Sequence, residues 1–478
     1  MPSNPSAVPA LYSTPRLTTL IASLIVALAA GTNYVSWSYA PQLGSRLRIT
    51  HTQLNMVGLA GNIGVYASGP IWGRIVDRRG PRILLACGFM FLLGGYSGIR
   101  HLYDEGIPDD AASLSTLGLF MTGAGGNGGL TSAVNSTAKT FPDRTRGSTT
   151  GLVISGFGLS AFLFSTISHL FYAGNTSSFL FLLSMGTAFP MIMGFFLVRP
   201  IPLPPSKHTD IEEPRDAAIS SGLEGLPNVY GKRLWKSADF WLLFSILSIL
   251  SGTGLMYINN VGSMSQALYG YNNPHYDEAK ASQWQSKQVS SISLMNFTGR
   301  IFIGLVSDLG KNHFGMPRSY SLALVSFFFF ISQVATASIN DIQNLWIASS
   351  LLGLAHGSVF SLFPTVCLEW FGMPHFSENW GYLSLSPMAA GNLFSLVFGR
   401  NLDAHEASPS QCGQGLECYV ATIYLTIGAT FLSILLSLWA GWRDWRKIRG
   451  VVGHKPYSAR GAGVDGRHRL GEDGQEVL

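Results

Sequence analysis

The sequence predicts an all-α membrane protein whose twelve transmembrane helices form two parallel six-helix halves. Of its 478 residues, 47% are apolar and only 12% are charged, whereas charged residues make up about 25% of an ordinary soluble protein. The apolar residues fall into twelve stretches, most of them close to the roughly 20 residues that a helix needs to cross a bilayer. Motifs of the first half recur in the second half, which indicates an internal repeat.

Polar or basic turns separate the twelve predicted spans, and each span is too apolar to be a surface helix of a soluble protein. The spans cover residues 17–40, 54–73, 83–99, 114–138, 148–171, 178–198, 238–262, 288–306, 319–339, 345–371, 381–399 and 420–441.

Small and polar residues mark several spans in the first half. Span one is aliphatic and then carries the polar, aromatic segment 31–39, and span two contains glycines that permit close helix approach. Span four holds five glycines around Asn127 in the run 123–129. A glycine-rich helix in a bilayer has to pack against protein or line a cavity, because loosened backbone needs hydrogen-bond partners.

The repeat is clearest in the turn between spans two and three, where the basic segment 73–82 joins two apolar runs. A weaker copy follows span eight, with Gly304, Asp308 and, after a short insertion, Arg318. The glycine-rich run of span four has its own counterpart at 353–357 in span ten. The two halves therefore have the same orientation in the membrane.

Basic residues predict that both termini are cytosolic, because lysine and arginine collect in cytosolic loops. Most of the 31 basic residues then lie inside, and Arg300 alone lies within a span. The predicted organisation is a tail (1–16), a six-helix bundle (17–199), a polar linker (200–236), a second bundle (237–441) and a tail (442–478).

The net charge of +5 follows from this orientation and from a basic tail, so it gives no support to nucleic-acid binding. Arg443, Arg446, Lys447 and Arg449 of that tail suit anionic lipid headgroups.

Three residues of the predicted outer loops are candidates for covalent modification. Cys412 and Cys418 share the last outer loop, where a disulfide could persist; a disulfide and two free thiols are equally expected. Asn175 begins an Asn-Thr-Ser sequence after span five and is a possible glycan acceptor, although its loop lies close to the membrane.

The turn 73–82 resembles the signature of the major facilitator superfamily, Gly-x-x-x-Asp-Arg-x-Gly-Arg, except that Pro81 stands at the last position and Arg82 follows. Other stretches resemble the nodulin-like branch, including its fungal members, which is similar to the monocarboxylate porters. These stretches are Gln53-Leu-Asn, Asn127 with its glycines, Phe141-Pro-Asp-Arg-Thr-Arg-Gly, Asn259-Asn-Val-Gly, Asn296-Phe-Thr-Gly-Arg300 and His356-Gly. The resemblance covers about residues 17–441.

Arg300 is the sharpest candidate for a functional residue, because a charge within a span is costly and usually functional. Asn296 and Gly304 lie one turn away on the same face of the helix. Monocarboxylate porters have a similar Asp-x-x-x-Arg arrangement, which implies that Arg300 binds a substrate carboxylate with two hydrogen bonds. Asn296 replaces the aspartate, so a proton relay at that pair is absent. The alternative is that Arg300 extends towards the cytosol and pairs with Asp308.

His356 lies near the middle of span ten, deeper than any other histidine in the predicted spans. Histidine changes its charge near neutral pH, so an accessible His356 could carry a proton together with an anion. The alternative, slightly favoured, is a neutral histidine hydrogen-bonded between helices.

The resemblance further implies that spans one, four, seven and ten line a central cavity. Uncharged hydrogen-bonding and aromatic side chains suit a small polar or mono-anionic solute, although some of these asparagines are expected to join helices instead. The predicted solute-binding residues are Asn33, Tyr34, Trp37, Asn127, Tyr257, Asn259, Asn260, Asn296, Arg300 and His356.

The inner turns are expected to act as a conformational latch, because their charges can exchange partners as the two halves move. The predicted latch residues are Gly73, Arg74, Asp77, Arg78, Gly80, Arg82 and Asp308.

These features predict a secondary active transporter that works by alternating access on a small organic anion such as a monocarboxylate, with a proton. The alternatives are a transporter of a neutral polar solute and a membrane sensor that binds a solute without moving it. An enzyme is not expected, because no span carries paired carboxylates or a metal-binding His-x-x-x-His. No cofactor and no metal are predicted, and no phosphate-binding loop indicates ATP. We expect a monomer in the vacuolar or the plasma membrane.

Overall fold

The computed structural model describes residues 13–33, 35, 39–47, 51–106, 111–172, 175–203, 227–271, 273, 275–405 and 412–453. Two of the predicted solute-binding residues, Tyr34 and Trp37, lie outside these ranges, as do most of the two tails and the centre of the linker. The described residues form helices and connecting turns, with no strand among them.

Twelve helical segments correspond to the twelve predicted spans, and two of them are broken into two helices. They are α1 (Thr14–Ala30), α2a (His51–Ala67), α2b (Gly69–Arg79), α3 (Arg82–Glu105), α4 (Ala111–Thr140), α5 (Asp143–Phe171), α6 (Thr176–Leu197), α7 (Ala238–Gly270), α8 (Glu278–Phe314), α9 (Ser319–Ser338), α10 (Leu345–Phe371), α11a (Phe376–Leu383), α11b (Leu385–Asp403) and α12 (Val420–Gly453). Short helices cover Ala40–Leu47 and Lys232–Trp235, and 3-10 turns cover Ile342–Asn344 and Gly415–Cys418.

Within the described residues, eight helices are long and apolar enough to cross a membrane: α3, α5 to α10 and α12. Each of the other four spans departs from a continuous apolar helix. Helix α1 has 17 residues, α2 and α11 are interrupted at Ser68 and Ser384, and α4 contains the glycine run, whose residues contribute little hydropathy.

Several helices extend beyond the predicted spans. Helix α1 begins at Thr14, inside the predicted tail. Arg16 is fully buried there: one terminal nitrogen donates to the carbonyl oxygen of Thr140 and the other to that of Pro202 at 2.7 Å. Helix α12 continues to Gly453, twelve residues into the predicted tail 442–478. The predicted outer loop 263–287 is mostly helical, since α7 ends at Gly270 and α8 begins at Glu278.

Glycines let the helices of the first half approach backbone to backbone, as the glycine run predicted. A Cβ atom on Gly123 would lie 2.0 Å from the carbonyl oxygen of Gly61, and one on Gly126 would lie 2.3 Å from that of Ala30. Trp72 of α2b donates its indole N–H to the carbonyl oxygen of Ala124 at 2.8 Å. Helix α4 is thereby packed tightly against α1 and α2.

The second half uses glycine in the same way between α8 and α10. A Cβ atom on Gly357 would lie 2.0 Å from the carbonyl oxygen of Asn296, and one on Gly299 would lie 2.1 Å from that of Leu354. Elsewhere hydroxyl groups join the helices, as where Ser326 of α9 bonds to Ser433 of α12 at 2.9 Å. Both are means by which helices associate in lipid, where apolar burial gives little driving force.

The two halves meet mainly at the end of the molecule where α1 begins and α12 ends, which we call the basic face. There α2b packs against α11a, and α5 packs against α8 and α10. The turns that follow α2b and α8 on this face both contain a glycine with positive φ, 80° at Gly80 and 61° at Gly315. A side chain at either position would be strained, so both turns require a glycine at a point of positive φ.

Both ends of the linker are attached to the basic face. The carbonyl oxygens of its first residues bind Arg16, as described above. At its far end the N–H of Val229 donates to the carbonyl oxygen of Phe371 at 3.0 Å, and Asn379 donates to the carbonyl oxygen of Val229 at 2.8 Å. The ring of Tyr230 stacks on His375 with 3.7 Å between centroids. The first residues of the linker therefore lie beside the end of α4, and its far end lies beside the equivalent end of α10.

At the opposite face, a disulfide joins Cys412 to Cys418. The exposed Asn175 caps α6 by accepting a hydrogen bond from the N–H of Ser178 at 3.0 Å. Glycosylation of Asn175 stays a prediction.

We predict that Gly357→Ala lowers the thermal unfolding midpoint of the purified protein, because the added methyl group would overlap the Asn296 carbonyl oxygen. Overpacking of this kind costs about 1–3 kcal/mol. The matched control is Gly399→Ala, since no atom lies within 4 Å of a Cβ at Gly399 and alanine favours a helix by about 1 kcal/mol. Equal midpoints for the two variants would contradict the contact.

Candidate functional site

Arg300 lies in α8 with 5% of its surface exposed, at the contact between the two halves. Its Nε donates to Oδ1 of Asn296 at 2.9 Å, within the second half. One terminal nitrogen donates to the carbonyl oxygen of Ile154 in α5 of the first half, at 2.6 Å. The ring of Phe157, also in α5, lies 5.7 Å from the guanidinium carbon. A single buried cation therefore bonds to both halves.

Helix α5 accommodates this cation because glycines face it. A Cβ atom on Gly158 would lie 3.1 Å from the guanidinium, and one on Gly151 would lie 2.7 Å from the carbonyl oxygen of Arg300. The predicted site contained no residue of α5. The glycines were visible in the sequence, but their spacing did not show which helix they contact.

The alternative pairing of Arg300 with Asp308 is not what the structure shows. Asp308 lies two turns closer to the basic face, and its carboxylate accepts from the N–H of Ser148 at 2.7 Å and from Arg318 at 2.7 Å. No ion pair joins the two described residues Arg300 and Asp308. The physical reason is that Asp308 is already bonded to closer donors on both sides of the interface.

His356 is buried in α10 beside the tight α8–α10 contact. Its neighbour Gly357 touches the backbone of Asn296, and the histidine ring itself packs over Gly254 of α7, where a Cβ atom would lie 2.2 Å from Nδ1. Phe360 packs edge-on at 5.1 Å. Nδ1 makes no hydrogen bond to the residues that the structure describes, so the expected interhelical hydrogen bond is absent at this nitrogen.

The other predicted residues of the second half have different environments. Tyr257 is fully buried inside the bundle, where its hydroxyl bonds to Ser349 at 3.0 Å. Asn260 is partly buried and donates to the carbonyl oxygen of Met256 at 2.7 Å. Asn259 is exposed. In this conformation Tyr257 joins helices, whereas Asn259 has an accessible side chain.

The predicted asparagines of the first half bond to helix α2. Asn33, which is 5% exposed, donates to Asn62 at 3.1 Å, and its Oδ1 has no hydrogen-bond partner among the described residues. Asn127 of α4 donates to Ser68 at 3.1 Å, at the break between α2a and α2b. These contacts are compatible with a solute-binding site and equally with hydrogen bonds that only join packed helices.

Asp77 forms the first of two contacts between the halves, which we call the latch contacts after the predicted role of their residues, and its side chain is buried. Its two carboxylate oxygens accept from Asn135 at 2.7 Å and from the backbone N–H of Glu378 in α11a at 2.9 Å. Lys139 lies 3.7 Å away. A buried carboxylate of the first half thus caps a helix start in the second half.

The other predicted residues of the turn surround this contact. A Cβ atom on Gly73 would lie 2.1 Å from the carbonyl oxygen of Ser377, so α2b and α11a touch. Arg74 is 4.0 Å from the carboxylate of Glu378. Arg78 and Arg82 are exposed, and Arg82 lies over the ring of Phe195 at 5.9 Å.

Asp308 forms the second latch contact, in which the carboxylate belongs to the second half and the backbone N–H donors belong to the first. Besides the N–H of Ser148, it accepts from the Ser148 hydroxyl at 2.6 Å and from the N–H of Gly147 at 3.2 Å. The fully buried Arg318 bridges it to Asp143 of α5 at 3.0 Å and to Glu369. Lys311 also binds Asp143, at 2.6 Å.

The two contacts are related by the internal repeat. Asp77 and Asp308 occupy equivalent turns, and each binds backbone N–H groups near the start of α11 or α5, which are themselves equivalent helices. The predicted latch residues did not include the partners Asn135, Asp143, Ser148 and Glu378. Only Phe141-Pro-Asp-Arg-Thr-Arg-Gly, quoted for its resemblance, contained one of them.

Comparisons with known proteins agree with this architecture. The family model described as Major Facilitator Superfamily matches residues 22–393. An uncharacterized membrane protein of Saccharomyces cerevisiae is 23% identical, over 93% of this chain and 96% of its own length. A protein of Gibberella zeae named "Probable transporter MCH1" is 25% identical, over 91% of each chain. A protein of the same name from Wickerhamomyces anomalus is also 25% identical, over 87% of this chain and 84% of its own length.

Solved structures show the same fold. The E. coli fucose:proton symporter FucP superposes with a TM-score of 0.57 and 14% identity, over 87% of this chain and 98% of its own. A second FucP structure, described as in the outward conformation, gives a TM-score of 0.52 over 89% of this chain. At this identity the likeness concerns the fold alone.

We predict that Asp77→Asn combined with Asp308→Asn loosens the contact between the halves, because an amide is a weaker acceptor than a carboxylate for backbone N–H groups. The native thiol of Cys367, buried in α10, then reacts faster with a soluble maleimide in a Cys87→Ser background. Asp104→Asn, which removes an exposed carboxylate at the opposite face, is the control. Unchanged labelling of the double variant would show that the two carboxylates do not hold the halves together.

Proposed function

The chain belongs to the Major Facilitator Superfamily and is a transporter by that membership, and we propose that it moves a small organic anion, such as a monocarboxylate, together with a proton. The observation that carries the proposal is the position of Arg300, a buried guanidinium bonded to both halves of the molecule. A charge so deep in a membrane protein is costly and usually functional.

A guanidinium at this place suits a carboxylate for geometric reasons. It presents N–H groups in a planar fork, which matches two carboxylate oxygens better than an ammonium group does. Two of its acceptors, the Asn296 amide oxygen and the Ile154 carbonyl oxygen, are neutral. An arriving carboxylate would replace neutral acceptors with a charged one, and charge-assisted hydrogen bonds are about twice as strong.

Binding at Arg300 would also affect the contact between the halves. The bond to Ile154 is one of the links between α8 and α5. A solute that takes over this N–H group weakens that link and replaces it with a contact to itself. The solute would therefore favour rearrangement of α5 against α8, which is what alternating access requires.

His356 is the proposed proton carrier. Its Nδ1 is buried without a hydrogen bond to the described residues, close to the helix face that carries Asn296 and Arg300. A proton there would offset the negative charge of the solute and would be easier to accept after the anion has bound. The order of events would be anion first and proton second.

We propose that the solute also contacts the remaining predicted residues that the structure describes, which are Asn33, Asn127, Asn259 and Asn260. Tyr257 would support this site through its hydrogen bond to Ser349.

We further propose that the basic face is cytosolic, because lysine and arginine are concentrated there. The structure then corresponds to a form closed on the cytosolic side, with both latch contacts made. The protein would act as a monomer in the vacuolar or the plasma membrane.

We predict that Arg300→Gln weakens the apparent affinity for the transported anion in proteoliposome uptake at least about tenfold, and that Arg300→Lys weakens it less. The reason is that a hydrogen bond to a charged group contributes about 1.5–3 kcal/mol. Thr298→Ala, an exposed position on the same helix, is the control. An unchanged apparent affinity in Arg300→Gln would remove the carboxylate contact from the proposal.

We predict that an imposed pH gradient drives uptake and that His356→Gln removes this dependence while anion exchange across the same vesicles continues. The reason is that exchange returns the carrier with bound solute and needs no net proton transfer. His101→Gln, at the exposed His101–Glu105 pair, should leave the dependence intact. Uptake indifferent to the gradient in the unmodified protein would exclude proton coupling, and binding without any flux would identify a sensor instead.

A further inference from the structure

The basic face carries a feature that the transport proposal does not use. Where the end of α12 passes the start of α7, exposed cations and tryptophans form one surface, which we call the basic aromatic surface. Its members are Lys232, Arg233, Lys236, Arg446, Lys447 and Arg449 with Trp235, Trp241, Trp439 and Trp442.

Two segments distant in sequence are joined to make this surface. Asp239, in the first turn of α7, forms ion pairs with Arg443 and, at 3.8 Å, with Lys447 of α12. The short helix Lys232–Trp235 is held against α7 by the indole N–H of Trp241, which donates to the carbonyl oxygen of Trp235 at 2.9 Å. Asp239 therefore brings the start of α7, with the short helix that precedes it, beside the basic end of α12.

The carboxylates in these two segments are already bonded. Arg443 binds both Asp239 and Asp444, and Asp444 also accepts the indole N–H of Trp370 at 2.8 Å. Arg443 itself lies over the ring of Trp370 at 4.7 Å. The sequence grouped Arg443 with the lipid-facing cations, but the structure makes it the residue that neutralises these acids. The net charge of the exposed surface is consequently strongly positive.

Helix α12 shows how the surface relates to the bilayer. One stripe of this helix, at spacings of three and four residues, changes from aliphatic to aromatic to basic towards the basic face: Leu432, Leu435, Trp439, Trp442, Arg446 and Arg449. All six are exposed. This order matches acyl chains, the interfacial region and phosphate groups in turn, since tryptophan is enriched at membrane interfaces.

We propose that the basic aromatic surface binds the headgroups of anionic phospholipids in the leaflet at the basic face. Arg446 and Arg449 lie over the rings of Trp442 and Trp445, at 4.7 and 3.6 Å. Stacking holds the two guanidinium groups in place and leaves their N–H edges directed away from the rings, available to phosphate oxygens. Lys232, Arg233 and Lys236 supply further charge beside them. Binding of lipid here does not depend on which solute is transported.

Native mass spectrometry of the full chain in mild detergent tests the proposal, with phosphatidylserine and phosphatidylcholine as probes. Two triple variants each remove three charges from the surface: K232Q/R233Q/K236Q and R446Q/K447Q/R449Q. The control, K280Q/K287Q/R400Q, removes three exposed charges from the opposite end of the helices. All six substituted surface positions and all three control positions are exposed, and the thermal unfolding midpoint of each variant checks that it is folded.

We expect the unmodified protein and the control to retain phosphatidylserine in preference to phosphatidylcholine, and each surface variant to bind phosphatidylserine at least about tenfold more weakly. Soluble glycerophosphoserine at the same concentration should compete poorly, because it lacks the chains that contact the aliphatic part of the stripe. Equal affinity of the surface variants and the control for phosphatidylserine would overturn the proposal. Full competition by glycerophosphoserine would overturn it as well, by showing a phosphate site without a lipid requirement.

Discussion

Two buried carboxylates, each bonded to backbone N–H groups of the opposite half, are the interaction on which this conformation depends. Asp77 reaches the start of α11a, and Asp308 reaches the first turns of α5. A buried carboxylate without partners would be costly. Each has a donor in its own half, Asn135 for Asp77 and Arg318 for Asp308, and obtains its backbone N–H donors only while the halves remain in contact. In the transport cycle that we propose, these same bonds would break when the basic face opens.

Close backbone approach is what brings these charges within reach. Gly73 touches the backbone of Ser377 beside the first contact, and Gly304 touches that of Gly147 beside the second. Larger side chains would separate the helices and leave the carboxylates short of the N–H groups. Glycine costs helix stability in water, but in lipid it permits the van der Waals contact and short polar bonds that drive helix association. The glycine content of this chain, 54 residues, therefore serves both packing within each half and closure between them.

Arginine residues at three depths have three different sets of neighbours. Arg300 lies between the halves and bonds to the neutral oxygens of Asn296 and Ile154, Arg318 is buried at the second latch contact among carboxylates, and Arg446 is exposed at the end of α12. Their chemistry is the same, and their neighbours decide whether the guanidinium is suited to a solute, to a structural ion-pair network or to a lipid headgroup. The linker lies beside the first latch contact, because Val229 bonds to Phe371 and Asn379 next to the start of α11a that Asp77 caps.

The membrane-spanning class, the parallel repeat and the correspondence of the turns at Asp77 and Asp308 could be predicted without a structure, because apolar length, glycine spacing and basic turns are local properties of the chain. The sequence also singled out Arg300 and Asn296, whose one-turn spacing places them on one face of a single helix. The packing of the helices was needed to show that Arg300 bonds to α5 instead of Asp308, that Tyr257 packs within its bundle, and that Asp77 is buried against Glu378. Those outcomes depend on which helices become neighbours across the interface, and contacts between residues up to 301 positions apart leave no periodic signal in one sequence.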